Sequence, residues 1–322
     1  MMIGKIYGTG SYVPKLVWDN RKLERMVDTS DAWIRERTGV ARRHIAQGRE
    51  STAYMASEAG KAALANAGTD AKEVDLIIAA TISAHQIMPG VACEVQKAIG
   101  AKHAVCFDLN AACTGFLFAL NTAQAYLGQG IYRTALVIGA ESLSNLIDWE
   151  DRSTCILFGD GAGAVVLKAQ EEGIYIQAAH SDGSQGDALT CASRNQAAYE
   201  KQPDAPETYI RMDGREVFQF AVSKVPEVIR EVLEKGHKKT SEIDFYLLHQ
   251  ANERIVRSVA KRLGEEMGKF PINMEEYGNT SSASIPILLD ELNKRKRLRQ
   301  GDYLILSGFG GGLSYGASLL QW

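Results

Sequence analysis

The sequence predicts an α/β protein made of two related halves. Apolar, strand-like segments alternate with helical ones along the 322 residues, which is typical of sheets covered by helices. Similar segments recur at one constant spacing, and the chain is longer than a single compact core usually needs. We therefore divide it into an N-terminal half, residues 1–172, and a C-terminal half, residues 173–322.

The first half begins with a strand and continues with a helix and further strands. Residues 1–6 are predicted to form that strand and not a cleavable signal. The helix 51–67 has Ala, Met and Leu on its inner face. Four later segments are predicted to be strands: 75–81 and 134–139, which are apolar and buried, and 164–167 and 173–177, which are expected to close this half.

The second half repeats the first at an offset of 169 residues. Three pairs of positions agree on this offset: Asp75 with Asp244, Gly139 with Gly308, and Asn110 with Asn279. The same offset places Cys113 opposite Ser282 and His249 opposite Ala80. Agreement of three registers indicates a duplicated fold with a pseudo-twofold axis.

Composition excludes several classes of protein. The chain is 45% hydrophobic and 23% charged, as globular proteins are, and its net charge of −3 argues against nucleic-acid binding. It has no run of 18 apolar residues, so no membrane span is predicted. Five cysteines, an odd number without a C-x-x-C pair, indicate a reduced, cytoplasmic protein.

Cys113 is the candidate nucleophile, because it lies where an extended segment turns into an apolar helix. Helix N-termini carry unpaired N–H groups and a partial positive charge, which favour a thiolate over a thiol. A free cysteine more often only packs in a core. The position at the helix start is therefore what distinguishes Cys113 from the other four cysteines.

His249 and Asn279 are predicted to join Cys113 in one pocket. His249 follows the apolar strand 245–248, and Asn279 lies in a Gly-Asn-Thr-Ser-Ser stretch. Taken singly, each residue has an ordinary structural explanation: His249 fits a histidine at the end of a strand, and Asn279 fits a helix cap or turn. Ligands of α/β sheets bind at strand C-termini and helix N-termini, and all three residues occupy such positions.

Glycine-rich and basic segments add weaker signals. Gly8 and Gly10 follow a strand, but Val13 stands where a dinucleotide fingerprint needs Gly or Ala, so a Rossmann site is excluded. Residues 308–312 could present an N–H to the cysteine as part of an oxyanion hole. The polar segment 181–214 is expected to cap a pocket.

Together these segments resemble the β-ketoacyl-[acyl-carrier-protein] synthase III family of the thiolase superfamily. The resemblance covers essentially the whole chain and implies a five-layered αβαβα, thiolase-like fold with two pseudo-twofold-related halves. The matching motifs are 26–39 (Met-Val-Asp-Thr-Ser-Asp-Ala-Trp-Ile-Arg-Glu-Arg-Thr-Gly), the Cys113 segment, 158–163, 249–252, 278–280 and 308–312.

The resemblance implies the initiating condensation of type II fatty acid synthesis. Cys113 would take the acyl group of a short acyl-CoA primer, with its oxygen between the N–H groups of Cys113 and Gly311. Malonyl-ACP, carried by the acyl carrier protein (ACP), would then lose CO2, and His249 and Asn279 would stabilise the enolate. The products are 3-oxoacyl-ACP, CoA and CO2, and no metal or redox cofactor is needed.

The same matching implies the binding residues and a homodimer. Met88 replaces a bulky aromatic in a loop that reaches into the partner subunit's acyl pocket, which favours a longer or branched primer. Gln219 stands where some relatives carry a lysine for the carrier protein, and Arg215 and Lys224 nearby are expected to compensate. By function, the implied residues are Thr29, Trp33, Arg37, Arg152, Gly214 and Asn252 for CoA, Met88 and Phe309 for the acyl pocket, and Gln250, Arg254, Lys261 and Arg262 for ACP.

Three other interpretations remain at this point. The order Cys, His, Asn also occurs in papain-like cysteine hydrolases, although their local cysteine signature is missing here. A related acyl-CoA-dependent condensing enzyme of specialised metabolism would use the same cysteine with another acceptor. A non-catalytic partner subunit would not be expected to retain all three polar residues.

Overall fold

The computed structural model describes residues 2–192 and 208–322, which form four sheets and the helices around them. The strands are β1 (Ile3–Tyr12), β2 (Leu16–Asp19), β3 (Arg42–Ile45), β4 (Leu76–Ala80), β5 (Val105–Leu109), β6 (Thr134–Glu141), β7 (Gly161–Gln170), β8 (Tyr175–Ser181), β9 (Leu189–Cys191), β10 (Ile210–Met212), β11 (Phe245–Leu248), β12 (Tyr303–Gly310) and β13 (Ser314–Gln321). The helices are α1 (Asn20–Leu23), α2 (Asp31–Thr38), α3 (Thr52–Ala67), α4 (Val91–Ile99), α5 (Gly115–Gly128), α6 (Arg152–Cys155), α7 (Gly214–Lys235), α8 (Glu253–Leu263), α9 (Met274–Tyr277) and α10 (Ser284–Lys294).

Two mixed sheets carry the fold. The first has the order β1-β7-β6-β4-β5 and the second the order β11-β12-β13-β8. In the first, β4 pairs in parallel with both β5 and β6, and in the second β11 pairs in parallel with β12; the other strand pairs of the two sheets are antiparallel. β4 and β6 are buried throughout, as apolar strands covered on both faces must be.

The helices form three layers around these two sheets. α3 and α4 pack on the outer face of the first sheet, and α7 and α8 on the outer face of the second. α5 and α10 lie between the sheets in one apolar core. α5 is therefore apolar on nearly every side, because both of its faces are covered. The predicted five-layered α/β architecture is confirmed.

The duplication is visible element by element. β4 and β11 begin 169 residues apart, and so do β6 and β12. The short 3-10 turns Ala112–Thr114 and Ser281–Ala283 show the same offset and precede α5 and α10. Even the backbone repeats, because Ala112 and Ser281 both have left-handed φ values, 45° and 48°. The two turns pack against each other where the halves meet.

One strand assignment was wrong. The segment 173–177 was expected to close the first half, but β8 pairs with β13 in the second sheet. The neighbouring prediction, 164–167, lies in β7 of the first sheet as expected. Residues 193–207 of the predicted cap, 181–214, lie outside the described residues, and its described ends contain β9 and β10, which pair with each other.

Candidate active site

Cys113 lies in the turn 112–114 immediately before α5, as the sequence predicted. Its side chain is nearly buried, with 9% of the residue exposed. The end of β12 packs directly on it: a Cβ at Gly310 would lie 2.7 Å from the Cys113 N atom and 3.0 Å from its Cβ. Only glycine therefore allows this approach.

The pKa of the Cys113 thiol lies well above its usual value. The pKa of Cys113 is raised to about 12, mainly by burial and also by the charge of Glu141, although hydrogen bonds from Ser281 and from the backbone N–H of Cys113 lower it. The expectation of a resting thiolate at the helix terminus was therefore wrong, because the loss of hydration outweighs the N–H groups. A reaction at this sulfur needs a group that accepts its proton.

His249 follows β11 and is 2% exposed. Burial lowers the pKa of its imidazole to about 3, so the ring is neutral at physiological pH. Its Nδ1 lies 2.6 Å from the Ser284 hydroxyl, and its edge faces the ring of Phe309 with a centroid distance of 5.4 Å. A neutral, fixed imidazole can donate or accept one proton at Nε2.

Hydrogen bonds fix both the backbone and the side chain of Asn279. Its N–H donates to Leu157 O at 2.8 Å, and its carbonyl accepts from Gly159 N at 3.0 Å. The side-chain Oδ1 accepts from Ser281 N at 2.8 Å. This bond fixes the amide orientation, so the Nδ2–H groups are the ones left to donate.

These elements meet at the junction of the two halves. A Cβ at Gly308 would lie 3.6 Å from His249 Cβ and 3.8 Å from Cys113 O, so both residues flank this part of β12. Ser281, whose N–H holds the Asn279 amide, lies at the Cys113 thiol. A sulfur, an imidazole and a carboxamide are thus gathered around one point, at the ends of β11 and β12 and the starts of α5 and α10.

Gly311, the residue predicted to complete an oxyanion hole, lies directly after β12. A Cβ on it would come within 3.5 Å of Ala112 Cβ and 3.4 Å of Leu189 O, so Gly311 borders the turn that carries Cys113. The sequence prediction that this glycine pairs with the Cys113 N–H is compatible with that position.

Sequence reasoning missed the polar groups beneath the thiol. Glu141, at the end of β6, is completely buried and accepts hydrogen bonds from hydroxyls of both halves. Ser284, at the start of α10, binds the imidazole. The 169-residue offset held a signal for Ser281 and Ser282, since it places them opposite Ala112 and Cys113.

Three residues predicted to bind CoA form one aromatic and cationic cluster on the surface. The guanidinium carbons of Arg152 and Arg37 lie 5.0 and 5.7 Å from the centre of the Trp33 ring. Nearby, Arg152 Nη1 donates to Asp28 O, and the buried hydroxyl oxygen of Thr29 has no hydrogen-bond partner among the described residues. Flat, cationic and unpaired groups of this kind suit a nucleotide.

The other two predicted CoA residues lie at helix starts. Asn252 caps α8, accepting from Arg254 N, and its Nδ2 donates to Arg37 O at 2.9 Å, which ties it to the Trp33 cluster. Gly214 is the exposed first residue of α7, and the atom nearest to a Cβ there is Met212 Cε at 3.8 Å.

The two residues predicted to line the acyl pocket lie in different environments. Phe309 is 4% exposed and contacts His249. Met88 is 81% exposed, on the loop between β4 and α4, so within one chain it does not line the site of Cys113.

Of the residues predicted to bind ACP, three lie on the surface and one does not. Arg254, Lys261 and Arg262 are exposed on α8 and have no carboxylate partner among the described residues. Gln250 is 1% exposed; its amide donates to Leu248 O at 2.8 Å and accepts from Asn273 N at 3.0 Å. Including Gln250 in a docking surface was therefore wrong, because its polar atoms are used inside the protein.

No helix of the described residues has the length and apolar character needed to cross a membrane. Within 2–192 and 208–322, His, Cys, Asp and Glu side chains do not form a group of three or more that could hold a metal ion.

Comparison with known proteins identifies close relatives along the whole chain. The family models "3-Oxoacyl-[acyl-carrier-protein (ACP)] synthase III" and its "C terminal" part match residues 107–183 and 233–322. A β-ketoacyl-[acyl-carrier-protein] synthase III of Clostridium botulinum (strain Loch Maree / Type A3) is 48% identical over 320 residues, covering 98% of both chains.

Solved structures match equally completely. The 3-oxoacyl-[acyl-carrier-protein] synthase III of Aquifex aeolicus VF5 superposes with a TM-score of 0.93 at 44% identity, covering 99% of this chain and 100% of the other. The priming β-ketosynthase of the R1128 polyketide biosynthetic pathway superposes with a TM-score of 0.94 at 34% identity, covering 99% and 96%.

Proposed function

Since the chain belongs to the 3-oxoacyl-[acyl-carrier-protein] synthase III family, we propose that Cys113, His249 and Asn279 carry out its condensing reaction. The protein is an acyltransferase that initiates fatty acid synthesis. In the proposed reaction, a short acyl-CoA donates its acyl group to Cys113, and malonyl-ACP then extends it. The observation that carries this assignment is the convergence of a buried thiol, a neutral imidazole and an oriented amide at the junction of the halves.

The first half-reaction makes an acyl-enzyme. The sulfur of Cys113 attacks the thioester carbonyl, whose oxygen becomes negative and accepts hydrogen bonds from the N–H groups of Cys113 and Gly311. The CoA thiolate leaves as the carbonyl reforms. The Trp33 cluster, with Arg37 and Arg152, holds the nucleotide end of CoA, and Thr29, Asn252 and Gly214 border the path of its arm.

The second half-reaction makes the carbon–carbon bond. The bond to the malonyl carboxylate breaks, CO2 leaves, and the electron pair forms an enolate whose oxygen accepts from His249 Nε2–H and Asn279 Nδ2–H. The enolate carbon attacks the acyl carbonyl and the Cys113 thiolate leaves. The product is 3-oxoacyl-ACP. A neutral imidazole fits this role, since it donates a hydrogen bond without giving up its proton.

Half-reaction assays test this division of labour. With acetyl-CoA, intact mass measures acylation of Cys113; with malonyl-ACP, release of CO2 measures decarboxylation. Cys113→Ser should lose the acyl adduct, whereas Cys93→Ser, a cysteine away from the site, should retain it. His249→Ala and Asn279→Ala should lower decarboxylation by about 100-fold or more, the order expected for a lost oxyanion donor, and acylation by far less. Equal loss of both half-reactions would contradict the proposed roles.

The acidic carrier protein is proposed to dock on the exposed face of α8. Arg254, Lys261 and Arg262 supply unpaired positive charge there, and Arg257 is already paired with Glu253 at 2.5 Å. Lys224 compensates little for Gln219, because it forms its own ion pair with Glu227 at 2.9 Å.

A homodimer is proposed from the edge of the first sheet. β5 pairs with β4 on one side only, and Val105 on it is 47% exposed. The neighbouring loop exposes Ile87 and Met88 at 76% and 81%. An unprotected strand edge beside apolar side chains is a typical pairing surface. We also propose a reducing, cytoplasmic setting and no role for nucleic acid, membrane or metal.

A condensing enzyme of specialised metabolism is the second candidate, because the R1128 priming ketosynthase superposes as well as the fatty acid enzymes do. The acceptor separates the two: the first function requires malonyl groups carried by the organism's fatty acid ACP. Condensation only with another carrier protein would favour the second.

A further inference from the structure

Glu141 is a buried carboxylate that the reaction described above does not use. It is 0% exposed, at the end of β6, and no lysine or arginine pairs with it among the described residues. Five donors surround it: Ser83 Oγ at 2.5 Å, Ser282 Oγ at 2.8 Å, Ile82 N at 3.2 Å, Thr81 Oγ1 at 3.3 Å and Ser281 Oγ at 3.4 Å. A carboxylate kept in such a place without a cation costs stability, which indicates a use for it.

Ser281 lies between Glu141 and the nucleophile. Its hydroxyl donates to Glu141 Oε1 at 3.4 Å, and hydrogen bonding by its side chain lowers the pKa of the Cys113 thiol. The left-handed backbone of Ser281 belongs to the turn 281–283, which packs on the turn that carries Cys113. A hydroxyl in this position can accept one proton while it donates another.

The groups facing Glu141 come from three places. The loop after β4 and the turn 281–283 present hydroxyls and one N–H, and the turn 112–114 presents the thiol of Cys113, whose charge is coupled to that of Glu141. His249 flanks the same part of β12 as Cys113, and its Nδ1 lies 2.6 Å from Ser284 Oγ.

Of the two bases near the sulfur, the carboxylate holds a proton more readily. Burial raises the pKa of Glu141 to about 7, whereas burial lowers that of His249 to about 3. A base whose pKa lies near the working pH is the more effective proton acceptor.

We propose that Glu141 accepts the thiol proton of Cys113 through the Ser281 hydroxyl. The S–H bond breaks as Ser281 Oγ takes that proton and passes its own to Glu141 Oε1, so the negative charge moves from the carboxylate to the sulfur. Glu141 keeps the proton until condensation releases the Cys113 thiolate, which recovers it by the same path. The CoA thiolate takes its proton from water. Glu141 acts through Ser281 and is thus a positioning residue; the proposal rests on Cys113 being the nucleophile.

Single-turnover acylation tests the proposal, with acetyl-CoA in excess and the adduct weighed by intact mass from pH 5.5 to 9. The wild-type rate should rise up to about pH 7, as Glu141 loses its proton, and then level off. Glu141→Gln should be at least tenfold slower at pH 7, and its rate should rise about tenfold per pH unit without levelling, because hydroxide must replace the missing base. If Glu141→Gln acylates as fast as wild type or faster, the proposal is overturned. The negative charge of the carboxylate would then only disfavour formation of the Cys113 thiolate.

Alkylation by iodoacetamide controls for an effect on the free thiol. Iodoacetamide is a small reagent that does not cover the sulfur as bound acetyl-CoA does, so the thiol can give its proton to water. Glu141→Gln should therefore not slow alkylation at pH 7. Loss of alkylation together with acylation would indicate a distorted site and would contradict the relay.

Two serine variants guard against misfolding of the first variant. Ser281→Ala interrupts the proton path but leaves four hydrogen-bond donors on Glu141. It should slow acylation as much as Glu141→Gln does, and combining the two substitutions should cause no further loss. Ser83→Ala removes a donor from the other carboxylate oxygen and should stay within about threefold of wild type. Equal losses in the two serine variants would contradict the proposal. If wild type forms no adduct on Cys113, the proposed function itself fails, whatever Glu141 does.

Discussion

Ser284 is the hydrogen-bond partner of the His249 imidazole. Its Oγ accepts from Gln250 N at 3.4 Å and lies 2.6 Å from His249 Nδ1, and we assign the hydrogen of this contact to the serine, which then donates to Nδ1. An imidazole that accepts at Nδ1 must carry its hydrogen on Nε2. This is the tautomer that donates to an enolate oxygen.

Ser284→Ala should therefore impair the second half-reaction selectively. Without the hydroxyl, the neutral ring can adopt the other tautomer, and release of CO2 from malonyl-ACP should fall about tenfold or more. Acylation by acetyl-CoA should remain within about twofold, as measured by intact mass. Ser284→Thr keeps a hydroxyl and serves as the matched control. A loss of acylation as large as that of decarboxylation would contradict the role given to this serine.

The residues of the candidate site differ in how far the sequence reveals them. Cys113 was predicted at a helix start because the sequence shows where an apolar helix begins, but the pKa of its thiol depends on how much water the other half removes. Glu141 gave no signal. A glutamate at a strand end is usually solvated, and its burial follows from the packing of residues more than 50 positions away, such as Ser83 and Ser282.

The end of β12 packs closely enough on Cys113 to determine the position of its side chain. Gly310 packs so closely on Cys113 that an added Cβ would lie 2.7 Å from its backbone nitrogen, closer than real atoms approach. The strand or the turn would have to move by several tenths of an ångström.

Gly310→Ala should accordingly reduce both stability and acylation. Overpacking of this kind costs about 1–3 kcal/mol, and a small displacement of a reacting atom can cost about 100-fold in rate. Thermal unfolding and single-turnover acylation measure the two effects. Gly268→Ala is the matched control, because nothing lies within 4 Å of an added Cβ there and its φ is ordinary. Unchanged acylation in Gly310→Ala would show that β12 does not position the thiol.

The assignment of strands to sheets was the part of the fold that periodicity did not reveal. The strand at 173–177 was recognised as a strand, but its sequence neighbour β7 suggested the first sheet, whereas it pairs with β13. An apolar strand pattern indicates that the strand is buried, but it does not indicate which other strand it pairs with. The duplication resolves this: β8 takes in the second sheet the edge place that β1 takes in the first.

At the scale of the molecule, the site depends on both halves and, by the proposed dimer, on a second chain. The first half supplies Cys113 and Glu141, and the second supplies His249, Ser281 and Asn279. Met88 is 81% exposed on its own chain, and in the proposed dimer it would reach the site of the other subunit.

Mixed dimers test whether Met88 limits the primer of its partner. A flexible thioether should admit branched primers that a rigid phenyl ring excludes, so Met88→Phe should lower isobutyryl-CoA turnover relative to acetyl-CoA by about tenfold. The location of the effect is decisive. When a Cys113→Ala chain is paired with a Met88→Phe chain, the working cysteine faces a partner's methionine and should keep the wild-type preference. When wild type is paired with a chain carrying both substitutions, it faces a phenylalanine and should show the altered one. The same preference in both pairings would mean that Met88 does not reach across the dimer.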